Sequence, residues 1–109
     1  MEKLNVREAI EKILNNFSDM VVREGTEVKI IRDSESGNYL VMLVGWSDQL
    51  RVYGNLVHIE LKDNKIWIQQ DRTDTGIAQE LVEAGVPKSD IVLAFKSVFS
   101  RKFTDYAVN

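Results

Sequence analysis

Three breaks too short to hold a crossover constrain this chain more than any other feature. Ser34-Glu35-Ser36-Gly37, Ser47-Asp48 and Asp63-Asn64 separate strand-like runs over 27–33, 38–46, 49–62 and 65–70. A parallel neighbour needs a connection of about a dozen residues or more, so these breaks force antiparallel pairing, and residues 26–70 are predicted to form a four-stranded meander. Asp63-Asn64 reads as a hairpin loop, because Asp and Asn tolerate the positive φ that a type I′ turn demands. Gly54, inside the long third strand, marks an expected bulge or bend.

Alternation assigns the faces. Val57, Ile59 and Leu61 share one face of strand 3 with Ile66 and Ile68 on strand 4, and this is the expected core face. The opposite face carries Leu56, His58 and Glu60, with Trp67 and Gln69 beside them. Strand 2 is apolar on both sides, with Tyr39, Val41 and Leu43 on one and Leu40, Met42 and Val44 on the other. A half-solvated antiparallel sheet is polar on its outer side, so this strand calls for a second cover, a later helix or another subunit.

The flanking segments change period. Ile10, Ile13, Leu14, Phe17 and Val21 follow helical spacing, predicting an N-terminal helix over 4–22 that stops before Gly25 and covers the core face. Ile77, Ala78, Leu81 and Val82 predict a second helix, capped by Thr73 or Thr75 and ended by Gly85. Val86-Pro87-Lys88 forms a corner into a fifth strand over 91–95. The remainder, with Val98, Phe99, Phe103, Tyr106 and Val108, is too apolar to be a free tail and is expected to pack back on the body. The expected fold is α+β, a single domain over 1–109: an antiparallel four-stranded meander plus a fifth strand, with an N-terminal helix and a second helix after strand 4.

Composition closes off several chemistries. The 109 residues include no Cys and one His, which excludes a thiol nucleophile, a Cys-ligated metal and any two-imidazole site. Lys and Arg number 14 against 17 Asp and Glu. A net charge of −3 is poorly suited to gripping nucleic acid alone, since nonspecific affinity comes from neutralising phosphates. Lys96, Arg101 and Lys102 make the tail the only locally basic piece, a candidate basic contact. No apolar run approaches the ~20 residues of a membrane span, and the chain reads as soluble and cytoplasmic.

His58 and Glu60 can be drawn as an acid–base pair, but same-face strand neighbours stand ~7 Å apart, and a cross-sheet hydrogen bond is the expected role of His58. Trp46 and Trp67 read as core or interface aromatics before they read as stacking platforms. Asp71, Asp74 and Glu80 could suggest a cation site. Neighbouring Arg72 and Lys88 oppose it, and carboxylates at a helix start are explained by the helix dipole. No phosphate-cradling or nucleophile-elbow motif occurs. Trp46, His58, Trp67, Gln69, Asp71 and Thr73 remain the candidate interaction or ligand surface, with no cofactor, no metal and no catalytic residue assigned.

Several phrases resemble one family. Val44-Gly45-Trp46, Arg51-Val52-Tyr53-Gly54, Val57-His58-Ile59 and Lys65-Ile66-Trp67-Ile68-Gln69-Gln70-Asp71 look like the middle of the cyanobacterial XisI family, the fdxN element excision controlling factors. Thr75-Gly76-Ile77-Ala78, Gly85-Val86-Pro87-Lys88 and Asp90-Ile91-Val92-Leu93-Ala94-Phe95 continue it, and Arg101, Thr104 and Ala107-Val108 resemble its ending. The sequence departs from the family where Lys96-Ser97-Val98 replaces a His followed by prolines, where Thr104-Asp105-Tyr106 replaces Thr-Gly-Phe, and where Arg72 stands in place of Gly. The resemblance implies a non-catalytic accessory to DNA excision during heterocyst development, acting with an XisH-like companion and a site-specific recombinase that cuts the strands. A small ligand-binding module or enzyme using His58, Trp67, Gln69 and Asp71 is the alternative, and direct DNA binding through Arg101 and Lys102 a third reading. The two-sided apolar strand also leads us to expect a homo-oligomer.

Overall fold

The structure, a computed structural model, describes residues 6–20 and 22–109. The N-terminal period becomes helix α1, Val6–Ser18, with Ala9, Ile10, Ile13, Leu14 and Phe17 buried along one stripe. It ends earlier than the expected residue 22: the Ser18 hydroxyl donates to the Asn15 carbonyl at 2.7 Å, and the Met20 N–H to that of Phe17 at 3.1 Å. Leu4, Asn5 and Val21 of the expected helix lie outside the described residues. Gly25 serves the strand that follows instead. It adopts φ 89°, where a Cβ would collide with the Trp46 carbonyl oxygen.

The meander forms as the short turns require. Strands β1 (Thr26–Asp33), β2 (Asn38–Ser47), β3 (Leu50–Lys62) and β4 (Lys65–Asp71) pair antiparallel in order, and β5 (Ile91–Leu93) adds parallel to β4. Asp63 and Asn64 take φ of 54° and 62°, the type I′ signature. The anticipated irregularity at Gly54 lies elsewhere. Gly54 pairs in register with Leu43, and the extra residue is Leu56, opposite Val41/Met42. A second shift between His58 and Ile59 leaves Gln69 as the extra residue of β4. The first bulge moves Leu56 from its expected place beside His58 into contact with the core.

Helix α2, Ile77–Glu83, carries the chain from β4 to β5 and buries Ile77 and Leu81 in the same cluster as Ile10, Leu14, Val41, Val57, Ile59, Ile66 and Ile68. It stops as anticipated at Gly85, which takes φ 105° while Val86 N–H reaches back to the Leu81 carbonyl. A 3₁₀ turn, Lys88–Asp90, then feeds β5. Only three of the five expected residues form the ladder: Ala94 and Lys96 donate back to Val92 and Leu93 in a turn, and Phe95 N–H makes a last bond to the Ile68 carbonyl at 3.2 Å. Phe95 is consequently half exposed.

The C-terminal segment packs back through a polar clamp. Arg101 donates to the carbonyls of Leu93, Ala94, Lys96 and Val108, and Ala107 N–H donates to Ile91 O at 2.9 Å. Ser97 caps the short helix α3, Val98–Arg101, by accepting from Ser100 N–H. Apolar content overstated the burial here: Phe99 and Phe103 form an edge-to-face pair 5.3 Å apart and remain 70% and 77% exposed.

One core group is unsatisfied. The Tyr39 side chain is fully buried on the helix-covered face, and its hydroxyl has no hydrogen-bond partner among the described residues. Removing a buried orphan relieves a desolvation penalty of about 1 kcal/mol or more. Tyr39→Phe is therefore expected to raise unfolding free energy by about 1 kcal/mol, read from the urea midpoint at unchanged m-value.

Candidate functional site

Both α1 and α2 lie on one face of the sheet, so the other face is left to the tail and to solvent. Register identifies its members: Ile31, Leu40 and His58 stand in one row, Lys29, Met42 and Asn55 in the next, Glu27, Val44 and Tyr53 in a third, and Trp46 opposite Arg51. The tail reaches the β4–β5 end, where the Arg101 guanidinium sits 5.8 Å from the Trp67 ring centre. No helix among the described residues covers the rest. Leu40, Met42 and Val44 are half-buried, while Trp46 and Tyr53 are 52% and 68% exposed. Arg51 lies over both rings, at 5.3 and 5.7 Å, and holds them as one cluster at the β2–β3 tip.

The polar candidates do not converge. His58 Nε2 is bonded across the sheet to Asn38 Oδ1 at 2.9 Å, and Glu60 accepts from Gln69 at 3.2 Å, so the two side chains drawn as an acid–base pair are each engaged elsewhere. Trp67 donates its indole N–H to the Lys62 carbonyl, and the Lys62 ammonium lies 4.8 Å from its ring. Asp71 pairs with Val57, which places its side chain on the helix side, across the sheet from His58. There its Oδ2 accepts from Ile77 N–H at 2.6 Å, and its Oδ1 from Thr73 N–H at 2.9 Å and Thr73 Oγ1 at 2.6 Å. Thr73 Oγ1 accepts in turn from Gly76 N–H. The start of α2 is thus tied by Asp71 from the end of β4, with Thr73 bracing it. Neither Thr73 nor Thr75 occupies the cap position, which belongs to Gly76 at φ 88°.

Electrostatics around this junction are modest. Burial, then Asp71 and then Glu83, push the Glu80 carboxyl above the ordinary glutamate range. Hydrogen bonds from the Ser36 side chain and backbone hold Asp33 low in its turn. Among the described residues, no group of three or more His, Asp or Glu is placed to hold a metal ion. A cleft of about 440 Å³ opens between α1 and the β4–α2 loop, lined by Phe17, Met20, Leu56, Arg72, Thr73 and Glu80 among others. Thr73 reaches it, while His58, Trp67 and Gln69 do not line it. Of the basic candidates, Arg101 is engaged with backbone carbonyls, and Lys96 and Lys102 are exposed.

Sequence reasoning missed Tyr53, exposed on the same face as Trp46, and Asn38, the partner of His58. The turn is Asp48-Gln49 instead of the expected Ser47-Asp48, and this one-residue shift sets Arg51 opposite Trp46 and brings Tyr53 two places along on the same face.

Comparison with known proteins gives a consistent result. The XisI family model, described as XisI protein, matches residues 1–108. A solved XisI-like protein from Anabaena variabilis ATCC 29413 is similar at 42% identity and a TM-score of 0.88, covering 94% of this chain and 95% of that one. The solved fdxN element excision controlling factor XisI from the same organism is similar at 28% identity and a TM-score of 0.80, with the same coverage of both chains. No curated protein matches.

Two expectations follow from the β4–α2 junction. Asp71→Ala removes the acceptor for three hydrogen bonds and is expected to cost about 1–2 kcal/mol of unfolding free energy, with Asp71→Asn recovering part of it. Glu80 has a higher pKa folded than unfolded, so its stabilising contribution is present below the unfolded value and lost as pH rises through the folded one. Glu80→Gln should therefore unfold at higher denaturant than the parent at neutral pH, with the gap closing as pH falls below the carboxylate range.

Proposed function

We infer that this chain, which belongs to the XisI family, is a non-catalytic controlling factor in DNA-element excision that acts through protein contacts on its open sheet face. The carrying observation is that face itself: Leu40, Met42 and Val44 running to an exposed Trp46–Arg51–Tyr53 cluster, with no helix among the described residues laid over it. Trp, Tyr and Arg are the residue types that dominate binding energy at protein interfaces. A similar protein carries the name excision controlling factor. The partner in this reading is an XisH-like companion or the site-specific recombinase that breaks the strands, in the cytoplasm and in the heterocyst setting that the resemblance implies.

The competing readings have less to stand on. A small-molecule site built from His58, Trp67, Gln69 and Asp71 is split by the sheet, since Asp71 faces the helices and His58 faces away. Direct DNA binding has Lys96 and Lys102 to offer against a net charge of −3, and Arg101 already holds the tail.

Trp46→Ala combined with Tyr53→Ala tests the reading. Both side chains are more than half exposed, so the thermal midpoint should stay near that of the parent. Affinity for the companion or recombinase, measured by calorimetry, should fall about tenfold or more, and reconstituted excision should fall with it. Full partner affinity in the double variant, or excision of element DNA by the purified chain without a recombinase, would overturn the proposal.

A further inference from the structure

The two edges of the sheet differ. On the β5 side the tail closes the ladder, with Ala107 bridging to Val92. On the β1 side nothing is paired with the outer backbone of Val28 and Ile30 among the described residues. Their direction follows from the ladder. Trp46 N–H donates to Gly25 O at 2.8 Å, so bonded pairs recur at Glu27/Val44, Lys29/Met42 and Ile31/Leu40. The groups of Thr26, Val28, Ile30 and Arg32 therefore point away from β2, and of these the Thr26 N–H is already given to Arg23 O.

We propose that this edge pairs with the same edge of a second copy, antiparallel about a two-fold axis at Val28. Charge favours that register over those centred on its neighbours Lys29 and Ile30. Glu27 and Lys29 lie exposed on the open face, 3.1 Å from each other within one chain. Centred on Val28, Glu27 of each copy stands opposite Lys29 of the other, and the two pairs become a ring of alternating sign. Centred on Lys29, the two lysines oppose each other. Centred on Ile30, Glu27 meets Asp33, and like charges directly opposite one another are destabilising. Arg32, farther along, is held by Glu11 of α1 at 2.9 Å, which takes it out of any competing alignment. In the favoured register Val28 meets Val28 through both backbone bonds, and each Ile30 N–H reaches the Thr26 carbonyl of the other copy. This self-pairing uses the edge, so it leaves the open face free and does not depend on the identity of a heterologous partner.

The native chain has no Cys, so an introduced thiol is unique. Glu27→Cys and Lys29→Cys proteins, mixed and mildly oxidised, should give a disulfide-linked dimer, whereas either protein alone should not, because identical positions are displaced from one another. Glu27→Lys should weaken self-association about tenfold or more, and Glu27→Lys combined with Lys29→Glu should restore it, both followed by light scattering. A monomeric mass for the parent at micromolar concentration overturns the proposal. So does a dimer that forms no mixed cross-link, or one that cross-links through Lys29→Cys alone.

Discussion

Two helices cover one face of a five-stranded sheet, and the rest of the molecule is arranged around that asymmetry. Ile10 and Leu14 of α1 close with Ile77 and Leu81 of α2 on Val41, Val57, Ile59, Ile66 and Ile68, all fully buried. Each such side chain contributes about 1.5–3 kcal/mol on burial, whereas an exposed pair such as Arg32–Glu11 contributes about 0–1 kcal/mol. The core therefore decides the fold, and surface ion pairs adjust it. Placing α2 beside α1 also dictates the chain path. β4 must leave the sheet, cross over the helix-covered face and return parallel as β5, and Asp71 sits at the point of departure, tying the last residue of β4 to the first turn of α2.

Much of this architecture is legible in the residues because short turns and alternation are local properties. Asp63-Asn64 announces its hairpin, and the alternation of Val57, Ile59, Ile66 and Ile68 identifies the covered face. The bulges are not legible in the same way. An extra residue in a ladder leaves no compositional mark, and the glycine that suggested one, Gly54, keeps its register while Leu56 supplies the irregularity. The tail shows a different limit. Counting its aromatic residues argues for burial, yet what holds it is a single guanidinium meeting carbonyls that the departing chain presents, and Phe99 and Phe103 are left outside.

The candidate site divides along the same line. The need for a second cover on strand 2 follows from its two-sided apolarity, and the open face is where that need remains. The polar candidates look like a site only while their faces are unassigned. The shift between His58 and Ile59 sends Asp71 to the helix side, so a set that is close in sequence is separated by the thickness of the sheet. Asp71 and Thr73 then have a structural account in full, and the expectation that a helix dipole draws in a carboxylate names the right residue without revealing the backbone donors it meets.

The closed β5 edge and the open β1 edge together bear on what assembly is possible. A sheet open at both edges can add copies without end, whereas a chain with one available edge that pairs with itself about a two-fold axis consumes that edge in both copies and stops. Charge on β1 has the same double character. Lysine on an edge strand ordinarily discourages pairing, but with Glu27 two residues away it disfavours the alignments centred on Lys29 and on Ile30 and favours the one centred on Val28, which interleaves the signs. Such a dimer sets the two apolar faces side by side on one surface of a continuous sheet, because residues opposite each other across a ladder share a face. A partner that docks on Leu40, Met42 and Trp46 of one copy would then meet the same residues again across the axis, so a weak contact made twice would act as a strong one.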